Sequence, residues 1–460
     1  MNINDKIICD APFLIREVMV NMYGFYLSKK RFNSEYDIFY SAIMKNLEKS
    51  ADEIKDDQFR LMKDNLINAY ENIPYYSKLF NDFEFSPYKI SSLSEITKIP
   101  FLDKDIIRKN YDLLINKRIS KRSCVSRYTS GTTGEKLRFI LPVSLAYPKN
   151  VAILYRFYSM AGVSLRDKRI TIGGRRFTNK IPYWSYNIFE NQMLLSAHHL
   201  NDRSVNEYIN QINKFNPVFI QGHPNSILFI AQAILRRSCN MTDSLRIIFT
   251  TGETLTNENR LYIEKAFGVR VLQQYGSGES CFSAQETGDD CGYMVNYEHG
   301  YVELIGNDEY KEIVATSFQN DVMPFVRYKI GDYVKALDGA VLNKKYDYPY
   351  LFNYVIGRID DVITSVDGSI IFPVAIRSVV KQYLKDFTGY QFCQYGDREY
   401  ELRLVDEKKE VNINALLRGL RGVLGMGSEI SCIYVDSLIS DGGKIRNVIN
   451  KNKVNAVINY

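Results

Sequence analysis

The chain reads as an α/β protein with a second, smaller α+β domain, and three observations predict this. At 460 residues it is longer than one ordinary core serves, so two or more domains are expected. Through the middle, β-branched runs end in glycine-containing polar loops and alternate with helical stretches, the pattern of an α/β sheet. Near Gly357 the texture changes to two short strand-like runs and one helix, so the boundary is set at 1–356 and 357–460. No internal repeat or low-complexity segment interrupts either part.

The first hundred residues read as helical. In "QFRLMKDNLINAYENIPYY" the apolar side chains Phe59, Met62, Leu66, Ala69, Tyr70 and Ile73 fall on one stripe at helical spacing. Pro74 ends that helix, because it has no N–H and its ring clashes with the preceding turn. Farther on, "SLRIIFTTGETL" (244–255) and "VRVLQQYGSGES" (269–280) are strands running into polar loops. "YVELIGNDEYKEIVATSF" (301–318) alternates around Gly306-Asn307 as a hairpin does. Helical "NEYINQINKF" and "NENRLYIEKAF" lie among these runs. In the last hundred residues, "YELRLVD" and "SEISCIYVD" read as strands and "VNINALLRGLRGVL" as a helix.

Composition narrows the function. The net charge is +6 and the basic residues are scattered, whereas a nucleic-acid groove concentrates them on one face. The densest cluster, "KRISKRS" (117–123), is surface or a weak lure for an anion. Seven cysteines without a CxxC pair read as reduced thiols, so a cytoplasmic protein is expected. The N-terminus mixes charged and apolar residues unlike a signal peptide, and no run reaches the about 18 apolar residues that a spanning helix needs.

The stretch "SRYTSGTTGEKLRF" (126–139) packs two glycines, hydroxyl residues and one lysine into a short polar run. It is neither a Walker A sequence nor G-x-G-x-x-G, and by itself it is an ordinary turn. Physically it also suits polyphosphate: glycines let backbone N–H groups approach, hydroxyls donate, and Lys136 adds charge. With the loops "TTGETLT" and "QQYGSGES", the stretch "MPFVRYKIGDYV" (323–334), "GRIDDVI" and "DGGKIRNVINK" (441–451), the chain resembles the adenylate-forming superfamily. "IPYYSKLF" and "KIPFLDKDIIRKNY" are similar to N-terminal elements of its phenylacetate–CoA ligase branch, with its capsule-biosynthesis relatives. The resemblance spans most of the chain, with the motifs in family order.

The resemblance implies a large N-terminal adenylate-forming domain, a small mobile C-terminal domain, and ATP-dependent activation of a carboxylic acid. Thr129, Ser130, Gly131, Thr132, Thr133, Gly134 and Lys136 would hold the β- and γ-phosphates, with Thr132 close to the chemistry. Gly252 and Glu253 would border the adenine, Tyr275 would stack on it, and Gly276 and Ser277 would complete that loop. Glu279 would bind Mg²⁺, a hard cation that takes carboxylate oxygen. Asp332 would accept the ribose hydroxyls, with Arg358 beside it. Asp360 matches the hinge, and Lys444 would stabilise charge developing at the α-phosphate. "LSAHHLN" and "QGHPNSI" (221–227) would both lie at the acyl pocket, with His199 beside the carboxylate.

The expected partners are a small-molecule carboxylic acid and coenzyme A. A carrier protein, or a sugar amine or hydroxyl in surface-polysaccharide assembly, is the alternative acceptor. A homodimer is compatible with the sequence; nucleic acid and membrane insertion are not expected. Two positions depart from the family pattern: Glu135 precedes Lys136 in the phosphate loop, and Asp367-Gly368 stands where relatives carry an arginine before glycine. A non-catalytic nucleotide-binding protein would be expected to lose Glu279, Asp332 or Lys444, and all three are present. Cys281, Cys291 and His299 at loose spacing are the remaining metal-ligand candidates.

Overall fold

The computed structural model describes residues 8–129, 136–173, 177–288, 292–307, 310–343, 345–358, 362–371, 373–383, 389–405, 411–435, 438, 440–441, 444–445 and 447–452. The N-terminal region holds helices α1 (Phe13–Arg31), α2 (Ser34–Lys45), α3 (Ala51–Asn72), α4 (Pro74–Asp82) and α5 (Lys104–Lys109). Helix α3 starts at a capping box in which Ser50 and Glu53 satisfy each other's backbone N–H groups. Its apolar stripe is buried as expected, with Met62, Leu66, Ala69 and Ile73 all inside. Pro74 does two jobs. It closes α3 through an extended Ile73 and then opens α4 at the first helical position, where a missing N–H costs nothing.

Strands β1 (Cys124–Tyr128) and β2 (Arg138–Pro142) form an antiparallel hairpin around the glycine-rich run. Next come α6 (Asn150–Met160), β3 (Arg169–Gly173), β4 (Trp184–Asn187), β5 (Gln192–Ser196), α7 (Val205–Phe215) and β6 (Phe219–Gly222). They are followed by α8 (Pro224–Arg237), β7 (Ile247–Thr251), α9 (Asn257–Phe267) and β8 (Arg270–Gly276). Then the strands run on as β9 (Ser283–Glu286), β10 (Tyr293–Val295), β11 (Gly300–Gly306), β12 (Lys311–Ser317), β13 (Tyr328–Leu342) and β14 (Pro349–Arg358).

Twelve of these strands make one sheet in the order β11-β12-β13-β14-β10-β9-β8-β7-β6-β3-β5-β4. Strands β8, β7, β6, β3 and β5 are mutually parallel, and the neighbours from β9 to β11 pair antiparallel. The expected hairpin at Gly306 is β11–β12, in register from Gly300↔Ser317 to Gly306↔Lys311. One face of the parallel half packs Ile170, Ile172, Ile220 and Ile248 against α7, α8 and α9. The other face packs Phe219, Ile247 and Phe249 against Tyr155, Phe157 and Tyr158 of α6. Side chains buried on both faces explain why these strands read as near-continuous apolar runs.

The C-terminal part has its own core. It comprises β15 (Ile363–Thr364), β16 (Ile370–Ile371), α10 (Pro373–Tyr383), β17 (Gly389–Gln394), β18 (Glu399–Val405), α11 (Ile413–Leu424) and β19 (Glu429–Tyr434). The short strands β20 (Ser440–Asp441), β21 (Lys444–Ile445) and β22 (Val448–Asn450) follow. A four-stranded sheet, ordered β19-β18-β17-β22, carries Phe392, Leu402 and Leu404 against Leu416, Leu420 and Leu424 of α11. Those three leucines recur every fourth residue and are fully buried, each worth about 2 kcal/mol of apolar burial. Among the described residues no helix is long and apolar enough to cross a membrane.

Candidate active site

The polar loops at the C-terminal ends of β6, β7 and β8 stand side by side because their strands are parallel neighbours. After β7 the chain turns at Gly252, whose φ of +79° is the left-handed conformation that a side chain resists. Glu253 then points its carboxylate at the start of α8, where the backbone N–H of Asn225 donates to it (3.1 Å). Its carbonyl accepts from the Gln273 amide (2.6 Å), and Gln273 in turn accepts from the Tyr293 hydroxyl (2.7 Å). This loop is therefore tied to both α8 and β8.

Tyr275 and Asp332 meet where β8 faces β13. The Tyr275 hydroxyl donates to Asp332 Oδ2 (2.5 Å), and its ring packs on Phe282 and edge-on against Phe352. Asp332 is buried and stands opposite Arg358 in the β13–β14 ladder. One loop farther on, Glu279 is only 6% exposed, and the Tyr328 hydroxyl donates to its Oε1 (2.8 Å). Tyr328 and Asp332 both lie on β13, so that strand supports both carboxylates.

The start of β13 is held by a residue that local sequence reading passes over. Arg327 donates through Nε (3.0 Å) and Nη2 (2.8 Å) to the two oxygens of Glu303. Its Nη1 donates to the carbonyls of Ile99 (2.5 Å) and Thr97 (3.0 Å), and Phe101 lies against the guanidinium. Arg327 is buried at a φ of +50°, so it is a structural post at the head of the strand. Its arginine-before-tyrosine spacing in "MPFVRYKIGD" is the only sequence signal that marks it.

Beside these loops lies a cavity of about 170 Å³. Tyr158 and Phe157 of α6 form one wall; the strand ends at Gly222, His223, Thr251 and Gln274 form the other. His223 Nδ1 lies 3.1 Å from the Thr251 carbonyl, so that nitrogen carries the proton it donates. His199 is not among the lining residues. Its ring stacks on Tyr183 (centroids 4.3 Å apart, planes 7° apart), and its Nδ1 bonds the Ser196 hydroxyl (2.8 Å). Both histidines follow a strand, but β6 is central to the parallel array and β5 lies toward its edge. Topology, invisible in the local sequence, decides which one reaches the cavity.

Over nearly its whole length the chain is similar to Protein CapK of Staphylococcus aureus: 29% identity, covering 96% of this chain and 98% of that protein. The phenylacetate–coenzyme A ligase of Pseudomonas putida follows at 24%, over 87% of this chain and 95% of that one. The chain is thus similar, over most of its length, to phenylacetate–coenzyme A ligases as well as to Protein CapK. No protein-family model matches it. Among solved structures, the fold is shared by a 2-hydroxyisobutyryl-CoA ligase in the postadenylation state. The TM-score is 0.65 at 16% identity, covering 88% of this chain and 91% of that one.

The structure brings Gly252, Glu253, Tyr275, Gly276, Ser277, Glu279 and Asp332 to one end of the sheet. The Ser277 hydroxyl accepts from the backbone N–H of Cys281 (3.4 Å), which closes its loop. Thr129 and Leu137 seal the neck of the β1–β2 hairpin with a backbone bond (2.9 Å) and a bond to the Thr129 hydroxyl (3.0 Å). Lys136 stands exposed next to that neck. Ser130, Gly131, Thr132, Thr133, Gly134 and Asp360 lie outside the described residues. Lys444 is on β21, opposite Asp441, and the side chains of Lys444 and Arg358 are likewise outside the description.

Among the described residues no cluster of three or more His, Cys, Asp or Glu side chains is arranged for a metal. Of the loose trio, Cys291 lies outside the described residues. Cys281 is buried, and burial pushes its thiol well above the ordinary range, away from the thiolate a metal takes. His299 is also buried; burial lowers its pKa to about 4, and its Nδ1 bonds the Ser283 hydroxyl (3.1 Å).

Proposed function

We propose that the chain couples ATP to a carboxylic acid, forming the acyl adenylate and pyrophosphate, and then passes the acyl group to the thiol of coenzyme A. One observation carries the site assignment: Tyr275–Asp332 and Tyr328–Glu279, two carboxylates each held by a tyrosine, stand at the loop end of the parallel strands beside a cavity. A carboxylate oxygen attacks the α-phosphorus and pyrophosphate leaves. The thiol then attacks the acyl carbon, AMP leaves with its carboxylate-derived oxygen, and the thiol proton is released.

Each residue has a task in this reading. Asp332, aligned by the Tyr275 hydroxyl, accepts the ribose hydroxyls, with Arg358 alongside. The rings of Tyr275 and the turn at Gly252 and Glu253 flank adenine. The 129–136 run, with Thr129, Ser130, Gly131, Thr132, Thr133, Gly134 and Lys136, cradles the outer phosphates. His223 and, behind it, the cavity receive the acid, and His199 supports the adjoining wall through Tyr183 and Ser196.

Glu279 fits a divalent cation. Tyr328 occupies one carboxylate oxygen, and Oε2 has no partner among the described residues. Bound there, Mg²⁺ would neutralise polyphosphate charge and polarise the phosphoryl oxygens. Rotation about Asp360 would alternately bring Lys444 to the α-phosphate and open the thiol path, which gives the small domain its own core a purpose. The chain works in the cytoplasm, where ATP, Mg²⁺ and coenzyme A are supplied together.

The test is ATP–pyrophosphate exchange with pooled aryl, fatty, amino and sugar acids, followed by addition of coenzyme A. Lys444→Ala should lose about 10²–10³ in the exchange rate while ATP binding, read by calorimetry, stays near wild type. Exchange at the wild-type rate in that variant would remove Lys444 from the chemistry.

A further inference from the structure

A second hollow adjoins the first on the same face of the sheet. It has a volume of about 230 Å³ and lies beneath α1, walled by Met19, Tyr23 and Leu27 of that helix and by Phe177 and Leu194. Thr171 and Gly173 of β3 bound both hollows, so the two meet along that strand. The first reaches from β8 to β3 and the second from β3 to β5; neighbouring strands lie about 5 Å apart, so the second adds several ångströms sideways. Gly24 lets α1 sit this close, because a Cβ there would lie 2.3 Å from the buried Asn187 amide oxygen. Arg16, fully buried, anchors the same helix through bonds to the Ser185 hydroxyl (3.2 Å) and the Pro182 carbonyl (2.5 Å).

A polar row marks the junction. The Tyr158 hydroxyl donates to Gln221 Oε1, and the Gln221 amide donates to Thr171 Oγ1 (2.7 Å). From the other side the Gln192 amide donates to the same oxygen (2.5 Å). Thr171 thus receives two protons, and no acceptor among the described residues takes its own. The chamber beneath α1 is mainly apolar, with the Arg31–Glu190 ion pair at its edge, and the first hollow also holds the buried Thr250 hydroxyl. An O–H donor at Thr171, where the two hollows share a wall, rewards an acceptor placed part-way along a mainly apolar chain.

We infer that the acid activated here is a two-part molecule. Its carboxyl-bearing half occupies the hollow at the strand ends, a hydrogen-bond acceptor such as an ether or carbonyl oxygen lies at Thr171, and an apolar tail fills the chamber beneath α1. The inference rests on the acid-activating reading above. It goes beyond that reading because it names the substrate class and makes α1 part of the specificity surface.

The experiment compares straight-chain acids from butanoic to dodecanoic with analogues carrying one ether oxygen. Each is read twice, by ATP–pyrophosphate exchange and by calorimetric binding without nucleotide. The longer oxa-acids should have the lowest KM and Kd. Leu194→Trp, which fills the chamber, should raise the ratio of long-acid to short-acid KM at least about ten-fold. Thr171→Val should abolish the preference for the ether oxygen, and Thr171→Ser, which keeps the donor, should restore it. An unchanged length ratio in Leu194→Trp overturns the chamber. Binding that shows these length and ether effects without any exchange supports the chamber and refutes adenylation. Neither exchange nor binding by any acid refutes both.

Discussion

Tyr275 and Asp332 illustrate how a residue pair gives direction to a site. An exposed carboxylate samples many rotamers, whereas Asp332 is buried and one of its oxygens is pinned by a phenolic proton. Its remaining hydrogen-bonding capacity is thereby aimed before a nucleotide arrives. Asp332→Asn keeps the shape but removes the charge from the acceptor. A charged hydrogen bond is worth about 1.5–3 kcal/mol, so the KM for ATP should rise roughly ten-fold or more, with the KM for the acid little changed. Initial-rate pyrophosphate release at varied ATP measures this. An equal rise in both KM values would mean that Asp332 serves the fold, not the ribose. The candidacy of Asp332 was legible in "IGD" only with its neighbours, since Gly-Asp alone is a turn. Its tyrosine partner lies 57 positions away, and no local pattern announces such a pair.

At the scale of elements, β13 is the member on which the site depends. Its first residue, Tyr328, orients Glu279; its fifth, Asp332, meets Tyr275; and its ladder with β14 brings Arg358 opposite. Arg327 fixes the head of the strand through an ion pair with Glu303 that is nearly closed to water, with side chains 6% and 10% exposed. Removing one member of such a pair leaves a buried charge unmatched, which costs about 3–5 kcal/mol. Arg327→Met should therefore lower the unfolding free energy from urea titration by that much and reduce exchange activity as a consequence. Lost activity at unchanged stability would instead put Arg327 in contact with substrate. Strands and helices of this region were legible from β-branched runs and apolar stripes, because those periodicities are local. Pro74 shows the limit: the same residue that stops α3 starts α4, and only the packing of Tyr76 and Phe80 into the core reveals the second helix.

For the whole molecule, the large sheet stores a pH dependence. His299 lies buried beside Glu298, which pairs with the buried Arg156 (2.6 Å) and accepts from Tyr348 (2.7 Å). Burial is the main reason its pKa falls to about 4; the nearby Arg156 lowers it further, while Glu298 acts in the opposite direction. An unfolded chain protonates this histidine near pH 6.5, so as pH falls the unfolded state takes the proton first. Stability contributed by neutral His299 is full above about pH 6.5 and is lost progressively down to about pH 4, by on the order of 3 kcal/mol. Urea midpoints should drop between pH 7 and pH 5, and His299→Gln should flatten that slope. A slope identical in the variant would assign it to other groups.

The sequence by itself determined the family's ordered loops, the apolar stripes and the mixed α/β character, since each is written in spacing over a few residues. It also named Glu253, Glu279 and Asp332 as candidates, and these three carboxylates lie at one end of the large sheet. Only the tertiary structure decided that His223 and not His199 borders the cavity, that Arg327 is a post for β13, and that α1 roofs a chamber over β3 and β5. The reason is physical: backbone conformation answers to near neighbours, whereas a pocket is the space left when segments more than a hundred residues apart pack together.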